Sequence, residues 1–94
     1  MVKVAVVTGA NKGIGRCVVR SLCKQFDGDV ILTSRDTVKG SDAIRLLEKE
    51  GLNPKYMQLD IEDRQSIERF RDNLSCDYGS VDVLVNNAGI MYRS

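Results

Sequence analysis

Val4-Ala5-Val6-Val7-Thr8-Gly9-Ala10-Asn11-Lys12-Gly13-Ile14-Gly15 is an unbroken apolar run that ends in three spaced glycines. Helices covering both faces of a parallel sheet leave its strands continuously apolar, so Lys3 to Thr8 reads as a buried parallel strand. Gly9 then permits a sharp turn, Gly13 lets backbone come close to a bound group, and Gly15 lets the following helix sit near the strand. Unpaired N–H groups in that helix's first turn, at the positive end of its macrodipole, make an anion site. The anion this spacing suggests is the pyrophosphate of a dinucleotide. The competing reading is an ordinary strand-to-helix turn at a glycine.

Outward from this stretch the chain alternates. A helix is expected from about Gly13 to Gln25, with Ile14, Val18, Leu22 and Phe26 on one face and Cys17 beside them. Asp27-Gly28-Asp29 is a turn and Val30-Ile31-Leu32-Thr33 a second apolar strand. The segment Asp36 to Glu50 reads as a second helix with Ala43, Leu46, Leu47 and Glu50 along its stripe, closed by Gly51 in a left-handed conformation. Beyond Pro54, Lys55 to Asp60 forms a third strand. A third helix runs from about Asp63, its N-cap, to Tyr78, with Ile67, Phe70 and Leu74 buried and Gly79 closing it. Val81 to Asn86 is a fourth strand, ending in Asn87-Ala88-Gly89. Strict alternation implies right-handed crossovers and an α/β, doubly wound parallel sheet of the Rossmann type, in the order 3-2-1-4. A crevice is then expected beyond the carboxyl ends of strands 1 and 4, where the winding reverses.

Residues 1–94, 43% hydrophobic and 29% charged, suit a single domain. A net charge of +1 gives no reason to expect nucleic acid or an anionic membrane surface as a partner. No apolar segment is long enough to span a bilayer, and Met1-Val2-Lys3 leads into a strand rather than a secretion signal, so a cytoplasmic location is expected. Cys17, Cys23 and Cys76 match neither a redox pair nor a zinc site and are expected to be packed, reduced thiols, with no metal ligands among them.

Thr8-Gly9-x-x-x-Gly13-x-Gly15 together with Asn86-Asn87-Ala88-Gly89 resembles the short-chain dehydrogenase/reductase family. Val7 to Gly15, Leu32-Thr33-Ser34-Arg35-Asp36, Gln58-Leu59-Asp60-Ile61 and Asp82 to Ile90 resemble, more narrowly, the NADPH-dependent carbonyl reductases of animals. The similarity runs over essentially the whole chain.

Cofactor choice has a chemical argument of its own. An NAD site places a carboxylate at the end of strand 2, about 20 residues past the glycine turn, to hold the ribose 2′-OH. Ser34-Arg35 occupies that place here, and a guanidinium can grip a 2′-phosphate through paired charge-assisted hydrogen bonds. Lys12 supplies a second cation, and NADPH is expected over NADH. Asp36 follows immediately and is read as the N-terminal residue of the next helix. The alternative is that Arg35 and Lys12 are solvated surface charges. The resemblance further implies that Asn11 joins Arg35 and Lys12 at the phosphate end and that Asp60 and Ile61 flank the adenine. It also places Asn87 beside the adenine ribose, where Gly89 permits close approach. Asp60 as a turn cap and Asn86 as a tie between strands are the structural alternatives.

The family reduces carbonyl groups with a tyrosine, a lysine four positions beyond it in Tyr-x-x-x-Lys, and a serine. Tyr56 and Tyr78 are followed at that distance by Asp60 and Asp82, and Tyr92 has no such partner. Catalytic residues are therefore expected to be absent from this stretch, which resembles the cofactor-binding first half of an NADPH-dependent reductase of aldehydes, ketones or quinones, truncated at Ser94. Alone, it is expected to be inactive and marginally stable, and to self-associate through a bare strand edge. The alternative is a complete, noncatalytic nucleotide-binding or interaction module.

Overall fold

The four strands of the sheet lie in the order β3-β2-β1-β4, every neighbouring pair parallel. They are β1 (Val4–Thr8), β2 (Asp29–Ser34), β3 (Lys55–Gln58) and β4 (Val83–Asn86), separated by α1 (Gly13–Gln25), α2 (Thr37–Lys49) and α3 (Arg64–Tyr78). This computed structural model describes residues 3–9, 13–79 and 81–86.

The apolar run of β1 is buried from end to end because helices cover it on both sides. Ala5, Val7, Val30 and Leu32 face α1 and α2 and pack with Val19, Ala43 and Leu47. Val4, Val6 and Ile31 point the other way, toward Leu74 and the half-buried Phe70 of α3. Both helix starts expected at an aspartate are capped by one. The Asp36 carboxylate accepts from the N–H groups of Val38 and Lys39, and that of Asp63 from Gln65. Gly51 (φ +84°) and Gly79 (φ +83°) take the left-handed conformation that ends α2 and α3.

Several packing expectations need correction. Leu46 is 46% exposed, and Glu50 is exposed as the C-cap of α2. The core face of α2 is carried by Gly40, Ala43 and Leu47, and that of α1 includes the fully buried Val19. Cys17 and Cys76 are exposed and only Cys23 is half-buried, so packing does not account for all three thiols. Cys17 lies about 200° around α1 from Val19, which places it on the solvent side. Burial pushes the Cys23 thiol up from its ordinary value, partly offset by a backbone hydrogen bond at Asn53.

Two strands are shorter than the apolar pattern implies. Leu59 N–H still reaches Ser34 O (3.0 Å), but Asp60 N–H turns away to Ser66 Oγ (2.9 Å), and β3 ends at Gln58. At β4, Asp82 N–H donates to Val4 O (3.0 Å), while Val4 N–H donates to the Asp82 carboxylate (2.8 Å). A side chain thus completes the β1–β4 ladder at its amino end, and regular pairing begins at Val83.

The same end of the sheet carries a charged latch. Asp29 Oδ2 accepts from Tyr78 Oη (2.7 Å) and from Lys55 Nζ (2.9 Å), joining β2, β3 and the end of α3. The Tyr78 phenol, and then the Lys55 ammonium, hold the Asp29 carboxyl below its ordinary value. Burial and then Asp29 raise Tyr78, and the hydrogen bond to Asp29 raises Lys55. A depressed folded-state carboxyl stabilises the fold above its unfolded pKa of about 3.9 and loses that contribution as pH falls through the folded value. Tyr78→Phe is therefore expected to move the Asp29 titration upward in carboxyl NMR. The same substitution should reduce the stability lost as pH falls below about 4 in urea unfolding. An unchanged Asp29 titration would show that the phenol does not hold this carboxylate.

Candidate functional site

Thr8 and Asn86 end β1 and β4 as register partners, which puts them at the point where the winding of the sheet reverses. Thr8 is buried, and its hydroxyl reaches Val85 O (3.4 Å). The chain leaves β1 through Gly9 at φ +59°, where an L side chain would cost about 1–2 kcal/mol. It enters α1 at Gly13, with Ile14 and the buried Gly15 in the first turn. No acidic residue stands in that turn, so nothing in it opposes an anion at the helix's positive end. Asn11, Lys12, Asn87, Ala88 and Gly89 lie outside the described residues.

On the other side of β1, β2 ends at Ser34 and delivers Arg35 to the same rim of the sheet. Arg35 is exposed, and its guanidinium makes no hydrogen bond or ion pair among the described residues. The neighbouring carboxylate has other work: Asp36 Oδ1 accepts from Val38 N–H (2.9 Å) and Lys39 N–H (3.2 Å). This rim therefore offers a cation with no partner among the described residues next to an acid one of whose oxygens is taken up as a cap. Such a donor set fits a phosphate monoester and would serve a sugar hydroxyl poorly.

The connection carrying Arg35 is held at three successive carbonyls. Ser34 O accepts from Leu59 N–H (3.0 Å) and Tyr56 Oη (3.1 Å). Arg35 O accepts from Gln58 Nε2 (3.2 Å), and Asp36 O from Ser34 Oγ (2.9 Å) and Gly40 N–H (2.9 Å). Ser34 Oγ also lies 3.1 Å from Tyr56 Oη. Ser34, Tyr56 and Gln58 were not among the expected site residues. The signals available were a tyrosine in a strand, whose polar tip needs a partner when buried, and a glycine inside the α2 pattern at Gly40.

Asp60 follows β3 on the same rim. Its Oδ1 accepts from Glu62 N–H (3.0 Å) in a turn, the structural alternative to an adenine contact, and one carboxylate oxygen is left over. Ile61 is 44% exposed beside it. Tyr56 and Tyr78 are both committed, to Ser34 and Asp29 respectively. No helix among the described residues is long and apolar enough to cross a membrane.

Known proteins share both the sequence and this geometry. Carbonyl reductase (NADPH) 1 of Bos taurus is 58% identical over 91 residues, a span that is 97% of this chain and 33% of that protein. The chain thus spans about a third of the length of the curated relatives it matches. Menthone neomenthol reductase from Mentha piperita superposes with a TM-score of 0.83 at 40% identity, over 93% of this chain and 31% of its own. A variant of actinorhodin polyketide ketoreductase, determined with NADPH, superposes with a TM-score of 0.80 at 32% identity, over 92% of this chain and 33% of its own. The profile of the short chain dehydrogenases matches residues 3–94. With its parallel 3-2-1-4 sheet and glycine turn at the winding reversal, the chain belongs to the short-chain dehydrogenase family.

Proposed function

We propose that this chain is the nucleotide-binding part of an NADPH-dependent carbonyl reductase acting on small aldehydes, ketones or quinones. The observation that carries the reading is the end of β2, where the exposed Arg35 has no hydrogen-bond partner among the described residues while Oδ1 of the Asp36 carboxylate accepts from the α2 N-terminus. Similarity to carbonyl reductase (NADPH) 1 and to a ketoreductase determined with NADPH supports the same cofactor.

When bound, NADPH supplies the hydride. Thr8, Gly9 and the backbone of Gly13, Ile14 and Gly15 would receive the diphosphate, together with Asn11 and Lys12. Arg35 and Lys12 would hold the additional phosphate. Asp60 and Ile61 would border the adenine, one with a remaining acceptor oxygen and the other with exposed apolar surface. Asn87, Ala88 and Gly89 would border its ribose. Tyr56 and Tyr78 are not proton donors in this reading: both phenols are engaged, and Tyr78 is raised rather than lowered, opposite to what proton transfer near neutral pH requires. The 94-residue stretch alone is accordingly read as inactive.

Nucleotide titration by calorimetry tests the proposal. NADPH should bind more tightly than NADH, and Arg35→Ala should weaken NADPH by about 10- to 100-fold, the worth of a hydrogen-bonded charge pair, while NADH changes little. Tighter binding of NADH, or an unchanged NADPH to NADH ratio in Arg35→Ala, would overturn it. A noncatalytic module is less favoured because the relatives matched over almost the whole of this chain are named as reductases.

A further inference from the structure

We infer that Tyr56, Ser34 and Gln58 are positioning residues for nucleotide selectivity, fixing the backbone on which the Arg35 guanidinium is carried. The inference rests on the reading of Arg35 as the phosphate-gripping residue. It adds the part of the chain that sets where that residue stands.

Exposed connections usually satisfy their carbonyls with water, yet here residues 34, 35 and 36 each give a carbonyl to a side chain of this chain. The donors come from two strands. Tyr56 and Gln58 lie on β3, with Leu32 paired to Tyr56 and Ser34 to Gln58 in the register, so alternate β3 residues reach over the end of β2. Gln58 holds the Arg35 carbonyl itself. Tyr56 holds the residue before it, and Ser34 Oγ bridges to the residue after it.

Space for the tyrosine is built into α2. A Cβ on Gly40 would collide with the Tyr56 ring and come within 2.6 Å of Ser34 Oγ, so the absence of a side chain there lets the phenol reach its partners. The held segment ends in the Asp36 cap, which turns one carboxylate oxygen toward the N–H groups of α2. Binding a phosphate with a long, rotamer-rich arginine loses side-chain freedom in any case. A fixed Cα removes the additional cost of ordering the connection. NADH lacks the phosphate and has no use for this arrangement, so its affinity reports the rest of the site.

Tyr56→Phe, Ser34→Ala and the exposed Gln58→Ala separate positioning from folding. Each is titrated with NADPH and with NADH, and ¹⁵N relaxation of the Arg35 and Asp36 amides is followed in parallel. Expected is a loss of NADPH affinity of about three- to tenfold, the scale of one net hydrogen bond, with NADH affinity held within about twofold and faster motion at both amides. In the Arg35→Ala background the same substitutions should no longer change NADPH affinity. If Arg35→Ala abolishes the NADPH preference while Tyr56→Phe and Gln58→Ala leave it intact, positioning is overturned and the phosphate reading survives. If Arg35→Ala leaves the preference intact, both fall. Equal losses for the two nucleotides would mean a purely structural role and would also overturn the inference. Should Tyr56→Phe fail to fold, Gln58→Ala decides, because its side chain lies outside the core.

Discussion

Leu47→Ala is expected to lower unfolding free energy by about 2–5 kcal/mol, the range for emptying a fully buried leucine site. Leu47 has no exposed surface and packs among Ala5, Val7, Val19, Val30, Leu32 and Ala43, the cluster that joins α1 and α2 to the sheet. Its neighbours are mostly strand residues pinned by ladder hydrogen bonds, which collapse poorly into a void. A chain of this length has roughly 5–14 kcal/mol in total, so the loss is a large share. Leu46→Ala provides the contrast. That side chain is 46% exposed, and a change within about 0.5 kcal/mol is expected. Urea unfolding of the two variants checks the pair, and equal losses would mean that the face of α2 is misassigned.

Gly40→Val should cost the upper part of the roughly 1–3 kcal/mol typical of an overfilled site, against a helix-propensity gain of under about 1 kcal/mol. The new Cβ meets the Tyr56 ring and, at 2.6 Å, Ser34 Oγ. Ser34 is 2% exposed and Tyr56 is tied to its carbonyl, so neither can retreat without breaking a hydrogen bond. Tyr56→Ala in the Gly40→Val background should restore part of the loss. A double variant less stable than the sum of the singles would contradict the steric cause.

The architecture was legible because its signals are local and mutually consistent. Continuous apolar strands mean burial on both faces, Asp36 and Asp63 precede helical periodicity, and Gly51 and Gly79 follow it. The 3-2-1-4 order is the one expected of a doubly wound sheet of the Rossmann type. Arg35 was legible as a cation at the end of β2, but the state of Asp36 could only be argued one way or the other. Its two hydrogen bonds to backbone N–H groups decide for the cap. What the sequence hid depends on partners distant along the chain. Tyr56 and Ser34 meet only when β3 has paired with β2, and Asp29 gains Tyr78 across 49 positions. Cys17 and Leu46 show the limit of periodicity, since on a helix a neighbour of a core position can face water with no change of residue type.

The latch of Asp29, Lys55 and Tyr78 lies at the opposite rim from Arg35, about 20 Å away along strands rising about 3.3 Å per residue. Groups so far apart with no shared partners act nearly independently. One margin of the sheet can thus be rewritten for a different nucleotide while the other goes on fastening β2, β3 and α3. A fold divided this way can acquire new ligand preferences without loosening its own frame.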